Sequence, residues 1–102
     1  MTSPKGVDYG TYLKVPDLIR LQQLRSDPPH HDEMLFIIIH QAYELWFKQI
    51  LHELETSIGA LDRGQLRRAN AYFARVNAIF RLLVDQIHIL ETLEPLEFAQ
   101  FR

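Results

Sequence analysis

The sequence predicts an all-α fold: long antiparallel helices in a bundle, with an N-terminal arm before them and the start of a third helix after them. Three observations predict it. Leu66, Ala69, Phe73, Val76, Phe80, Leu83, Ile87 and Leu90 are spaced 3, 4, 3, 4, 3, 4, 3, a helical seam sustained over several turns. Residues 32–60 form a second long stretch, apolar on nearly every side over Met34–Ile39 and amphipathic beyond it. Nowhere do apolar and polar residues alternate as they would in a half-buried strand.

Residues 1–15 read as an arm, since Gly6 and Gly10 interrupt it and no long period runs through it. A short helix is predicted over 16–25, with Pro16 in its first turn and Leu18, Leu21 and Leu24 along one side. Ser26-Asp27-Pro28-Pro29 ends it, because proline disfavours helix in the residue before it and has no N–H to donate. Asp32 and Glu33 then stand where the first turn of a helix favours negative charge, and a long helix is predicted over 32–60. Leu45, Trp46, Ile50, Leu54 and Ile58 continue its apolar face. A helix this apolar at its start is expected to be buried on most sides.

Asp62-Arg63-Gly64 punctuates the pattern, and the seam-bearing helix is predicted over 64–92. Arg67, Arg68, Arg75, Arg81 and Asp85 fall off its seam. Two long helices joined by so short a turn should pack antiparallel. Pro95 suits the first position of a third helix over 95–102, with Phe98 and Phe101 as its apolar face. That helix is expected to continue past Arg102, so residues 1–102 read as a single unit that is one part of a larger fold.

Composition narrows the function classes. With 47% hydrophobic and 24% charged residues, the chain has the make-up of a soluble globular protein. A formal net charge of -2 gives no electrostatic reason to expect nucleic acid as a partner. The absence of cysteine excludes disulfides and thiolate metal sites. The longest apolar run, Met34–Ile39, falls far short of the roughly 18 residues that a membrane span needs. No apolar signal core follows Met1–Gly6, so a cytoplasmic location is expected.

His40 is the residue that most needs an explanation, because it lies inside the apolar run. A buried imidazole without a partner costs about 1–3 kcal/mol. Phe36, His40, Glu44 and Phe47 are spaced 4, 4, 3 and so lie near one helix face. On one reading His40 is a core histidine satisfied by Gln41, a tyrosine or a main-chain carbonyl. On the other, Phe36 and His40 offer an aromatic wall beside a hydrogen-bonding ring, which suits a planar apolar ligand with one polar edge.

His52 and His88, with His30 and His31 at the helix start and Glu33, Glu44, Glu53, Glu55 and Glu91, raise the question of a metal site within the bundle. Such sites use Glu-x-x-His repeated on separate helices. This chain has only the reverse order, His88-Ile89-Leu90-Glu91, and the groups read as solvated faces. No phosphate-binding glycine loop, nucleophile elbow or HExxH pattern occurs. Arg102, taken alone, reads as a surface charge. Tyr9 and Tyr12 read either as packing anchors or as an arm that docks on another subunit.

One stretch has a wider likeness. Residues 31–50, His31-Asp32-Glu33-Met34-Leu35-Phe36-Ile37-Ile38-Ile39-His40 and on through Gln41-Ala42-Tyr43-Glu44-Leu45-Trp46-Phe47-Lys48-Gln49-Ile50, resemble the signature of the tryptophan 2,3-dioxygenases. Tyr9-Gly10-Thr11-Tyr12-Leu13 is similar to the N-terminal motif of that family. Residues 90–102, with Leu90-Glu91-Thr92-Leu93-Glu94-Pro95 leading to Arg102, resemble the segment that supplies its substrate arginine. The resemblance covers essentially the whole chain.

It implies an all-α, homotetrameric haem b enzyme acting on L-tryptophan and O2. Such an enzyme inserts both atoms of dioxygen across the indole C2–C3 bond to give N-formylkynurenine, the first step of the kynurenine route of tryptophan catabolism. Carried onto this chain, the resemblance has Phe36 packing on the indole. His40 accepts a hydrogen bond from the indole N–H, positioning the substrate without having to act as a base. Phe98 occupies a pocket position, Arg102 binds the substrate carboxylate, and Tyr9, Tyr12 and Leu13 complete the neighbouring subunit's pocket.

The family's proximal haem histidine lies beyond Arg102, and none of His30, His31, His52 or His88 falls at a ligand position. The resemblance therefore implies no metal ligand in these residues and no turnover by them alone. Glu94 also stands where the family usually carries a threonine able to cap the third helix. Two rivals remain: a catalytically inert helical oligomerisation module, and a non-haem metal-binding bundle.

Overall fold

The computed structural model describes residues 8–94, which run through α1 (Tyr9–Leu13), α2 (Val15–Leu18), α3 (Glu33–Asp62) and α4 (Leu66–Leu90). The class is all-α, and no β-strand occurs among the described residues. Both long helices end within two residues of the predicted bounds. The third helix predicted over 95–102 lies outside the described residues. Among those described, no helix is long and apolar enough to cross a membrane.

α3 and α4 pack against each other as an antiparallel hairpin. The turn between them depends on Gly64, whose φ of 71° is a left-handed conformation that costs a residue without Cβ almost nothing. Gly64 N donates to the Leu61 carbonyl at 3.0 Å and Gln65 N to the Ala60 carbonyl at 2.8 Å. These bonds occupy carbonyls that the helix end leaves without partners. At the far end, Asp32 accepts a hydrogen bond from Glu94 N at 2.7 Å. That contact ties the exit of α4 to the entrance of α3.

The phase of the seam differs from the prediction. On α4 the buried residues are Ala69, Val76, Ile79 and Leu83. Leu66, Phe80 and Ile87, assigned to the seam by their spacing, are 63%, 49% and 49% exposed. Both patterns contain Ala69, Val76 and Leu83. The packed one steps through Ile79, with half-buried Tyr72 and Gln86 in line, whereas the predicted one steps through Phe73 and Leu90, also half-buried, and through exposed Phe80 and Ile87. α4 therefore has two adjacent apolar flanks, and only one meets α3.

α3 shows the same division. Ile39, Ile50, Glu53, Ser57 and Ala60 are buried, with Tyr43 and Trp46 packed on the core, while Leu45 and Ile58 are exposed. Burial of Met34–Ile39 on most sides does not occur, because α4 covers only one side of α3 and leaves Met34 and Ile38 exposed.

Polar ties within the hairpin are few and specific. Tyr43 donates its hydroxyl to the Leu83 carbonyl at 2.9 Å. Buried Glu53 accepts from Gln49 and, at 3.2 Å, from Arg75, whose guanidinium lies 5.8 Å from the centre of the Tyr72 ring. The Ser57 hydroxyl returns to the Glu53 carbonyl at 2.8 Å and so is satisfied where it is wholly buried. Gln86 Oε1 is the one buried side-chain acceptor with no partner among the described residues.

The arm departs from prediction in two places. Residues 9–13 form a helical turn, because Asp8 accepts from Thr11 N at 2.8 Å and from the Thr11 hydroxyl at 3.1 Å. Those bonds hold the Asp8 carboxyl below the usual carboxylate range. The helix predicted over 16–25 stops at Leu18. Beyond it, side chains of α3 satisfy backbone groups that a helix would otherwise have satisfied internally. Gln41 takes the Leu21 carbonyl, and Glu33 takes the N–H groups of Arg25 and Ser26.

Glu33 is buried and accepts three hydrogen bonds, from Arg25 N at 2.8 Å, Ser26 N at 3.0 Å and the Ser26 hydroxyl. The Ser26 hydroxyl, and after it the Arg25 amide, hold its carboxyl below the ordinary value of 4.5. A group depressed in the folded state stabilises it fully above the unfolded value and loses that contribution as pH falls through the folded one. The melting temperature should therefore drop as pH falls below 4.5, and drop less in Glu33→Gln. Parallel profiles for the two proteins would refute this role.

Candidate functional site

Side-chain size along the hairpin determines where a site can form. Ser57, Ala60 and Ala69, close to the Gly64 turn, are small and covered. Farther from the turn the facing residues become large, and a groove of about 460 Å³ opens between α3 and α4. Its lining includes His40, Phe47, Phe80, Val84, Ile87 and Leu90, with Glu44 as the only carboxylate among the described residues. The exposed flank of α4 left over by the seam thus forms one wall of the groove.

His40 lies in the lining far from the turn, and it is exposed rather than buried. It nevertheless has a partner: its Nδ1 lies 2.7 Å from the Phe36 carbonyl oxygen. A carbonyl can only accept, so Nδ1 carries the proton, and Nε2 of the neutral ring is left as an acceptor. Nε2 makes no hydrogen bond among the described residues. Of the partners weighed from sequence, the main-chain carbonyl is the one observed. Gln41 bonds to Leu21 and Gln22 instead, and Tyr43 to Leu83.

Phe36 lies beside the imidazole, with ring centroids 4.2 Å apart and planes inclined by 36°. This is the adjacency that a spacing of four residues dictates on a helix. Phe47 stacks near Tyr43 at 6.1 Å. The result is a largely apolar groove with the rings of His40 and Phe47 in its lining, Phe36 beside the imidazole, and two side-chain acceptors, His40 Nε2 and the Glu44 carboxylate. It can hold a flat, largely apolar body that offers one N–H.

The other predicted site residues are placed differently. Tyr9, Tyr12 and Leu13 lie on α1 and are exposed. Among the described residues, helix-to-helix contact is confined to α1 with α2 and α3 with α4, so α1 is not packed on the His40 face there. Phe98 and Arg102 lie outside the described residues. Among those described, no three His, Asp or Glu residues converge to hold a metal ion. His88 Nδ1 meets Glu91 at 3.4 Å, and both side chains are largely exposed.

Gln41 was missed from sequence except as a possible partner for His40. Its signal was a polar amide in the apolar run, at the position after the imidazole.

Comparison with known proteins bears on what this site is. A family model described as tryptophan 2,3-dioxygenase matches residues 1–102. The chain belongs to the tryptophan 2,3-dioxygenase family. Among curated members, the tryptophan 2,3-dioxygenase of a Nocardioides species is 52% identical over 98 residues, 92% of this chain and 37% of the relative. That of Herpetosiphon aurantiacus is 47% identical, across 96% of this chain and 38% of the relative. The family member of Dictyostelium discoideum is 44% identical, across 99% of this chain and 27% of the relative. The chain thus spans between 27% and 38% of the length of these three.

Proposed function

We propose that these residues are the N-terminal part of a haem-dependent, cytoplasmic, homotetrameric dioxygenase that cleaves the indole ring of L-tryptophan. The reaction consumes one O2 and breaks the indole C2–C3 bond. Both oxygen atoms end as carbonyl oxygens in N-formylkynurenine, so no further oxidant or reductant is needed. One observation carries the reading. The Phe36 carbonyl holds the imidazole of His40 with Nε2 as acceptor, and the one polar hydrogen of an indole ring is a donor.

In this reading His40 orients the indole by its N–H and Phe36 packs on the ring face. Arg102 takes the substrate carboxylate through its planar two-pronged guanidinium, and Phe98 closes the pocket. Tyr9, Tyr12 and Leu13 serve the neighbouring subunit, which suits their exposure on an arm that is not packed on its own hairpin.

The lining also fits haem b. Phe47, Phe80, Val84 and Ile87 present the apolar surface that a porphyrin edge requires, and these residues would pack against it. Bound haem supplies the activation of dioxygen. This chain's own residues bind the amino acid, turn its ring and exclude water from it.

A second reading, a catalytically inert oligomerisation module, draws on the exposed apolar side chains Leu45, Leu51 and Ile58 of α3. One experiment separates the two. The 98 matching residues of the Nocardioides relative are replaced by this segment, and the fused protein is purified. A stoichiometric Soret band with N-formylkynurenine formed from L-tryptophan is the expected result. A colourless, discrete oligomer that forms no product would overturn the proposal in favour of the module.

A further inference from the structure

Leu21 and Gln22 belong to no helix, yet one side chain holds them against α3. Gln41 Nε2 donates to the Leu21 carbonyl at 3.0 Å, and Gln41 Oε1 accepts from Gln22 Nε2 at 2.9 Å. Gln22 Nε2 also donates to the Leu18 carbonyl at 3.0 Å. The Gln41 amide cannot flip without setting oxygen against oxygen and N–H against N–H, so its orientation is determined. Gln41 follows His40 directly in α3. Leu18 and Leu21 face His40, Gln41, Glu44 and Leu45 across a cleft of about 340 Å³.

His40 thus lies between two hollows. The far wall of one is α4, whose position the buried core determines. The far wall of the other is the segment 18–22, which has no core of its own. Leu18 is 41% and Leu21 61% exposed, so apolar burial in this chain does little to hold that wall in place.

We propose that Gln41 is a positioning residue that clamps Leu18 and Leu21 as the second wall of the His40 site. For the clamp the proposal stands on the hydrogen bonds alone. For what the wall positions, an indole ring, it rests on the dioxygenase reading. Gln41 is given no contact with substrate and no part in the chemistry.

The test has two parts, with Gln41→Leu and Gln22→Leu as variants. In the chain itself, amide hydrogen exchange is followed by mass spectrometry. Gln41→Leu should speed exchange over residues 18–22 and leave the core amides of α3 and α4, and the Arg25 and Ser26 amides held by Glu33, as protected as before. Unchanged exchange over 18–22, or loss of protection throughout both long helices, overturns the clamp. In the fused enzyme, Gln41→Leu should raise KM for L-tryptophan about five-fold, the scale of one or two neutral hydrogen bonds, with kcat and haem content kept.

Gln22→Leu should produce part of that rise, and the double variant should be no worse than Gln41→Leu alone. An unchanged KM despite faster exchange, or equal losses in kcat and haem, would overturn the positioning role. A parent fusion that forms no product would sink the dioxygenase reading, and the positioning role with it. The exchange result would still decide the clamp.

Discussion

Arg102→Ala in the fused enzyme is expected, on its proposed role of binding the substrate carboxylate, to raise KM for L-tryptophan by roughly 10²–10³-fold, because truncating one partner of such a charge pair strands the other. His40→Ala should do less. It removes one neutral acceptor for the indole N–H, and kcat/KM should fall by about 5–50-fold with turnover still measurable. The ordering follows from chemistry: a carboxylate held by a two-pronged cation loses more than a weakly polar N–H that loses its imidazole.

Phe36 is unchanged in both variants, so its proposed packing on the ring face is common to both. Steady-state kinetics with the Soret intensity as a control would measure both effects. A His40→Ala enzyme with normal haem and no turnover would refute orientation as the role of His40 and point to proton transfer.

The second large effect concerns stability. Leu83 is 6% exposed in a cluster with Ile50, Val76 and Ile79, and its carbonyl accepts the Tyr43 hydroxyl. Leu83→Ala should cost about 3 kcal/mol, from lost burial together with the void left behind. Phe80→Ala removes a larger side chain, but one that is 49% exposed on the groove flank. It should cost clearly less than Leu83→Ala. Denaturant unfolding followed by the fluorescence of Trp46, the single tryptophan, compares them directly. Equal costs would show that Phe80 belongs to the packed seam after all.

That comparison also marks what was legible beforehand. The existence, length and antiparallel arrangement of α3 and α4 follow from periodicity and from the Gly64 turn. The phase of α4 does not. Phe73, Phe80 and Ile87 outscore Tyr72, Ile79 and Gln86 on hydrophobicity, yet Phe80 and Ile87 are exposed where Ile79 is buried and Gln86 half-buried, and Phe73 is no more than half-buried, like Tyr72. Periodicity reports that a flank is apolar and is silent about which apolar flank meets which neighbour.

The arm was harder to read because a single helical turn depends on caps rather than on period. Asp8 and Thr11, with Lys14 at a φ of 56°, decide it. At the site, the nearness of Phe36 to His40 was readable from spacing. The protonated nitrogen of His40 was not, since it depends on a side-chain rotamer and a carbonyl 2.7 Å away. Gln41 could not be read at all as a clamp, because its partners lie 19 and 20 residues earlier in a segment with no pattern of its own.

Tyr43 with Leu83, and Glu53 with Arg75, cross the hairpin at two different heights. Sliding one long helix past the other by a single turn, about 5.4 Å, would break both together. The Tyr43 hydroxyl would lose its acceptor, and buried Glu53 would keep only Gln49 as a donor. The pair therefore behaves as a strut rather than a shear joint. Room for an occupant is therefore easier to make by turning the side chains of Phe47, Phe80 and Ile87, which line the groove, than by sliding the backbone that carries His40.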